Sequence, residues 1–253
     1  MQVTVRRVVL PLCGIALVLG LWWALVASGA VDDTPTPGAI FERMWEGIRS
    51  GELLVDIRLS VLRVLIGVGI GTTVAVPVGF VLAWFPVVRA MFNPLVSFFR
   101  ALPPLALIPL VIVYLGIGES ARISLLVYAA FFSAVIVIYE SVAAVDDVYV
   151  RAAKALGANQ WELFRRVVVP LTVPQIFVSV RVSLGVCWAT VVAAELVAAQ
   201  RGLGWMMQNA AAFFRQTDVF VGIILIGLSA LAMDRVVTLL MSRMVRWQER
   251  VVR

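Results

Sequence analysis

Five residues in one apolar run have the types and the spacing for chemistry. Arg181, Gly185, Trp188, Val192 and Glu195 step by four, three, four and three, so one face of a helix carries them all. That face offers a cation deep in the run, an aromatic wall and an acid near the far end. The chemistry is non-covalent: a guanidinium gives charge-assisted hydrogen bonds to a small oxyanion. A competing reading ties Arg181 into an ion pair, with Asp234 or with Glu195 on a neighbouring helix. Arg100 and Pro103, in another apolar run, are the other residues that could line a path for a solute.

Covalent chemistry has little to work with. The chain has no histidine, which removes histidine-based triads, zinc-protease motifs and histidine proton relays. Lys154 is the sole lysine, which excludes the Gly-Lys-Ser/Thr of a Walker A loop. No nucleophile–base pair stands in any apolar run. Cys13 and Cys187 both sit inside such runs and read as packing residues, with no metal or disulfide role.

The elements that must position these residues are membrane spans. Of 253 residues, 62% are hydrophobic and 14% charged, with mean hydropathy +1.01. Long apolar runs on that background mark a membrane protein, so the net charge of +6 is no argument for nucleic acid. Six spans are expected. The first runs from Val8 to about Ser28 and is longer than a signal peptide's apolar core. The others cover about Leu59–Trp84, Pro94–Leu115, Ala121–Val142, Val173–Ala198 and Val219–Ser242. Between the first two, Thr36-Pro37 reads as a helix start. Ile40, Phe41, Met44, Trp45 and Ile48 then recur at helical spacing, which predicts an amphipathic helix on the outer surface. Asp32 and Asp33 stand just before it.

Within span two, Gly67, Gly71, Ala75 and Gly79 recur every four residues, a small-residue stripe that lets another helix approach closely. Phe85–Asn93 reads as a short connection. Span three is interrupted by Pro103-Pro104 and Pro109. Either it is broken where it lines a cavity, or Pro103 only starts a helix at the interface. After span five, Gly202 and Gly204 bend the chain, and Trp205 and Met206 follow. They form either an outer gate or an interfacial belt with a turn. Placing both ends inside puts twelve of the 21 Lys and Arg residues on the inner side and six on the outer.

That places a central knob in the cytoplasm. Ala152–Leu156 is rich in helix formers, and Gly157 can take the positive φ that ends a turn. Asn159, with Glu162 three residues on, reads as a capping box for a second short helix to about Val168. Pro170 and Pro174 are expected to stop it. Ala155, Leu156, Leu163 and Phe164 supply an apolar face; Arg151, Lys154, Arg165 and Arg166 supply positive charge.

The order Ala152-Ala153, then Gly157 four residues after Ala153, then Pro170 thirteen after the glycine, resembles the cytoplasmic "EAA" loop of ABC-importer permeases, with Arg151 where the motif has Glu. The resemblance spreads over nearly the whole chain from about residue 34. Pro37-Gly38, Ser50-Gly51-Glu52-Leu53 and Ser60–Val64 are similar to the sulfonate, taurine and nitrate branch. So are Arg100-Ala-Leu-Pro103-Pro-Leu-Ala-Leu-Ile-Pro109, Tyr114–Glu119, Ala194-Glu195-Leu196 and Arg201-Gly-Leu-Gly-Trp205-Met206. Thr217-Asp218-Val219 and Arg246-Trp247 look most like its taurine members.

The resemblance implies one all-α permease domain over residues 1–253, with a core of about 55–245, in a bacterial inner membrane. It implies a coupling helix made by Arg151, Ala152, Ala153, Lys154, Gly157, Ala158, Leu163 and Phe164. The implied partners are a second copy, surrounding lipid, an ABC ATPase dimer that holds ATP and magnesium, and a periplasmic or lipid-anchored substrate-binding protein. The implied cargo is taurine or a similar small sulfonate, with nitrate, bicarbonate or an aromatic carboxylate as the alternative. A stand-alone secondary transporter is the rival from another class. The scarcity of acids in the spans argues against it.

Overall fold

Proline, glycine and small-residue spacing decide where this chain bends and where it packs. The computed structural model describes residues 2–29 and 34–244. Asp32, Asp33, Arg246 and Trp247 lie outside them. Every regular element among the described residues is helical. In chain order these are α1 (Gln2–Ala27), α2 (Pro37–Arg49), α3 (Glu52–Trp84), α4 (Pro86–Ala101) and α5 (Ile108–Leu115). Then come α6 (Glu119–Ala143), α7 (Asp147–Ala155), α8 (Gln160–Leu163), α9 (Val169–Ala198), α10 (Leu203–Ala212) and α11 (Gln216–Met244).

Among the described residues, four helices are long and apolar enough to cross a membrane: Glu52–Trp84, Glu119–Ala143, Gln160–Leu196 and Gln216–Met244. A fifth crossing results if the bent pair Pro86–Ala101 and Pro104–Leu115 counts as one. The expected first span falls on α1, whose apolar stretch among the described residues is Leu12–Ala27.

The third expected span differs from its sequence reading. No loose connection occupies Phe85–Asn93; α4 starts at Pro86, where a missing N–H costs nothing. It ends at Ala101, and the chain then turns by 90°. The cause is local: Leu102 precedes a proline and takes extended backbone (ψ 119°), and Pro103-Pro104 cannot continue a helix. A short 3₁₀ turn, Pro104–Leu107, leads into α5.

The centre is a three-helix layer. The small-residue stripe of α3 lies on α6. A Cβ at Gly67 would sit 2.4 Å from the Leu126 Cβ, one at Gly71 2.6 Å from the Ala130 Cβ, and one at Gly79 2.8 Å from Ile138 Cγ2. These contacts run in the same order along both helices, so α3 and α6 are parallel. Helix α9 runs antiparallel to them. Ser183 Oγ donates to the Ala130 carbonyl (3.1 Å) and Cys187 Sγ to that of Leu126 (3.4 Å). One core cluster joins Val64, Val68, Leu126, Trp188, Val191 and Leu225.

Around this layer, α2 is the expected amphipathic helix, capped by Thr36 with Pro37 in its first turn. Arg43 pins it to α11 through Asp218 (2.6 Å). Burial works to lower the Arg43 pKa, but the Asp218 and Glu52 carboxylates together more than offset this and hold it above the ordinary guanidinium value. Helix α4 has no buried residue, and α11 buries little of its length.

The close approach makes a specific demand. Gly71→Leu is expected to lower the melting temperature of the detergent-purified protein, at a cost of about 1–3 kcal/mol from overpacking. Gly69→Ala, where nothing lies within 4 Å, is expected to leave it unchanged or slightly raised.

Candidate functional site

Charges facing inward from α3 build one end of the molecule. Asp56, Ser60 and Arg63 follow at intervals of four and three and so share a helix face. All three are buried. Arg63 Nη1 donates to Glu195 Oε1 at 2.6 Å, and its Nη2 and Nε donate to Glu119 at 2.5 and 2.8 Å. Arg122 Nη1 adds a bond to the same Glu119 (2.6 Å). Glu195 is 0% exposed, and its second oxygen accepts the Gly204 N–H at 2.8 Å.

Ser60 Oγ donates to Glu195 (2.7 Å) and accepts from the Leu203 N–H (2.9 Å), while Asp56 accepts from the Gly202 N–H (2.8 Å). A carboxylate taken out of water is costly unless its lone pairs are met, and here they are. The glycines are required: Gly202 has φ +128°, and a Cβ there would lie 2.6 Å from the Glu195 carboxylate. At Gly204 a Cβ would lie 2.8 Å from the Val192 carbonyl oxygen. Sequence reading named Glu195 as a pathway residue and Gly202 and Gly204 as gate candidates, and did not single out Asp56, Ser60 and Arg63 as site residues. Their shared spacing was the available signal.

The face that links Arg181, Trp188 and Glu195 is divided between two neighbours. Arg181 turns toward α11 and makes a two-point pair with Asp234, at 2.6 and 3.1 Å. Trp188 is buried in the core, its Nε1 without a partner. Glu195 belongs to the charge cluster. Of the expected gate residues, Gly202 and Gly204 are buried in that cluster, while Trp205 and Met206 are half-buried.

At the opposite end stands the knob. Asp146 caps α7 through the Val148 N–H (2.8 Å). Gly157 takes φ +82° with open space around it, so its demand is purely conformational. Asn159 and Glu162 form the expected capping box. The expected stop at Pro170 does not occur. A π turn over Phe164–Val168 joins α8 to α9, and the helix runs on through both prolines as Gln160–Leu196. The wider turn interrupts the usual hydrogen-bond ladder just where Pro170 lacks an N–H.

The knob's apolar face is also split. Leu163 is buried. Phe164 meets Phe80 and Trp84 edge-on, with centroids 5.5 and 5.1 Å apart, and stacks on Trp161. These rings line a pocket of about 360 Å³. Leu156, 89% exposed, projects away, and Trp161, though stacked on Phe164, is largely exposed; around them are the exposed cations Arg151, Lys154, Arg165 and Arg166. Ala152 and Ala155 are exposed and Ala153 and Ala158 half-buried.

Arg100 lies on a groove of about 280 Å³ along α6, with Pro104, Phe132, Ser133, Glu140 and Val186. Pro103 is exposed beside it but does not line it. Tyr128 closes one side by donating its hydroxyl to the Phe99 carbonyl. A second groove, of about 540 Å³, shares Val137 and Glu140 with the first and reaches Asp146 and Tyr149 beside the knob. Among the described residues no group of His, Cys, Asp or Glu could hold a metal ion.

The described helices thus comprise a parallel α3–α6 pair, an antiparallel α9, a broken helix and a knob turned at Gly157. The model of the binding-protein-dependent transport system inner membrane component matches residues 75–246. The chain belongs to that family, and to its taurine, sulfonate and nitrate branch. A "Probable ABC transporter permease protein" of Brucella abortus (strain 2308) is 45% identical over 241 residues, 95% of this chain and 96% of its own length. The taurine transport system permease protein of Escherichia coli (strain K12) is 32% identical over 250 residues, covering 96% and 90%. A solved methionine ABC transporter in inward-facing conformations superposes with TM-score 0.60 at 20% identity, over 78% of this chain and 97% of that one. That likeness concerns the fold.

The buried carboxylate gives a direct stability test. Glu195→Ala is expected to cost about 3–5 kcal/mol, because Arg63, Ser60 and the Gly204 N–H lose their acceptor. Arg166→Ala, at an exposed pair with Glu162, is expected to cost less than about 1 kcal/mol. Thermal unfolding in detergent measures both.

Proposed function

We propose that two copies of this chain form the membrane path of an ATP-driven importer in a bacterial inner membrane. Each copy crosses six times, α1 included, with both termini on the cytoplasmic side. The observation that carries this reading is the knob. It projects Leu156, Trp161 and four cations beyond the end of α9, on a backbone fixed by Gly157 and two caps. A partner ATPase dimer, which holds ATP and magnesium, seats one knob per subunit. ATP-driven closure moves the two knobs, and each knob moves its α9 because no break separates them. The groove between the copies then opens in turn to each side.

A substrate-binding protein, free in the periplasm or lipid-anchored, delivers cargo at the end where α2 and α10 lie. The chain itself hydrolyses nothing, in keeping with relatives named as permease proteins. Taurine or a similar small sulfonate is the favoured cargo, since relatives named for taurine and aliphatic sulfonates align over most of the chain. Another small anion, such as nitrate, bicarbonate or an aromatic carboxylate, is the second reading. It draws on a relative named for nitrate import at 24% identity.

The test is uptake into proteoliposomes that hold this chain with its ATPase and binding protein. ATP-dependent taurine accumulation is expected with the ATPase and none without it. Gly157→Val, which forces a β-branched residue into left-handed backbone at a cost of about 1–2 kcal/mol, is expected to cut uptake at least tenfold. Full uptake and full ATPase association in that variant would overturn the coupling role.

A further inference from the structure

The groove along α6 carries two opposite charges that have no ion-pair partner among the described residues. Arg100 stands at the last turn of α4 and Glu140 near the last turn of α6; both line the same space of about 280 Å³. Both are exposed to it. Neither forms an ion pair within 4 Å with the other or with any other described residue. Arg63, Arg122 and Arg181 are bonded to carboxylates, whereas Arg58 and Arg235 also form no ion pair with a described residue; what sets Arg100 apart is that an unpaired acid lines the same groove. A cation and an acid that line one groove without pairing leave room for a molecule that ends in the opposite charges. Ser133 and Phe132 lie in the same groove, giving it a hydroxyl and an apolar wall.

From this juxtaposition we infer that the groove selects a short zwitterion, with its anionic group at Arg100 and its ammonium at Glu140. A guanidinium suits a sulfonate or carboxylate through two parallel N–H···O bonds, and a carboxylate suits an ammonium. A simple inorganic anion would satisfy Arg100 and leave Glu140 as a repulsive neighbour. Glu140 also lines the second groove, which reaches Asp146 and Tyr149 beside the knob. The ammonium site is therefore the inner end of the selective space, and release proceeds toward the knob. This deepens the proposed sulfonate function and rests on it: among sulfonates it singles out aminosulfonates such as taurine.

The experiment uses the full transporter, with its ATPase and binding protein, in proteoliposomes, and reads taurine uptake per ATP hydrolysed. Glu140→Gln is expected to lower that ratio about tenfold, while hydrolysis stimulated by taurine-loaded binding protein stays near its original rate. Glu140→Asp is expected to recover much of the uptake, and Arg100→Gln to lower the ratio at least as far as Glu140→Gln. The inference is overturned if Glu140→Gln transports taurine within twofold of the unaltered protein. It is equally overturned if uptake and hydrolysis fall together, or if Glu140→Asp is no better than Glu140→Gln. If the unaltered transporter moves no taurine at all, the sulfonate reading itself fails, and that result is distinct from the others.

Discussion

A single enclosed carboxylate organises this permease. Glu195 lies at the end of α9 with no exposure to solvent, and it is met by Arg63, Ser60 and the Gly204 N–H. Arg63 extends the link to Glu119 on α6. One ionic cluster therefore fastens α3, α6, α9 and the start of α10 at the same point. In an apolar surrounding such a cluster is all or none: each member is stable only while the others are in place. The two glycines beside it are consequences, since any side chain at Gly202 would enter the carboxylate.

The opposite end is built from different material. There the contacts are aromatic edges around Phe164, an open pocket and a backbone turned by Gly157. The chain is fastened by charge where a substrate-binding protein is proposed to dock and by aromatic packing where an ATPase is proposed to pull. Between them Leu126, Ala130 and Ile138 of α6 sit directly against the backbone of α3 at Gly67, Gly71 and Gly79, which leaves little room for either helix to slide on the other.

Much of this was legible in the sequence, for identifiable reasons. The glycine stripe is periodic, and its period matches the helix that carries it. The caps at Thr36 and Asn159 depend only on neighbours in the chain. The break at Pro103-Pro104 was visible, though not that α4 begins at Pro86. The helix running through Pro170 was hidden, because a proline ordinarily ends a helix and nothing in the neighbouring sequence marks the π turn that carries the chain past it. The partner of Arg181 could not be chosen from helical spacing alone; packing places Asp234 beside it and turns Glu195 away to Arg63. Arg100 was visible as a charge in a broken span, but its companion Glu140 comes from a helix 40 positions later in the chain. Only the fold brings the two to one groove.

The central claim is that each copy moves as a rigid lever behind its knob. Spin labels at Leu156 and at Arg58, at opposite ends of one chain, measure this in the assembled transporter. The account predicts that the distance from Leu156 to Arg58 within a chain is the same with and without ATP, while the distance between the two copies' Leu156 positions shortens on ATP binding. A within-chain distance that changes on ATP binding, with the knob-to-knob distance constant, would contradict it.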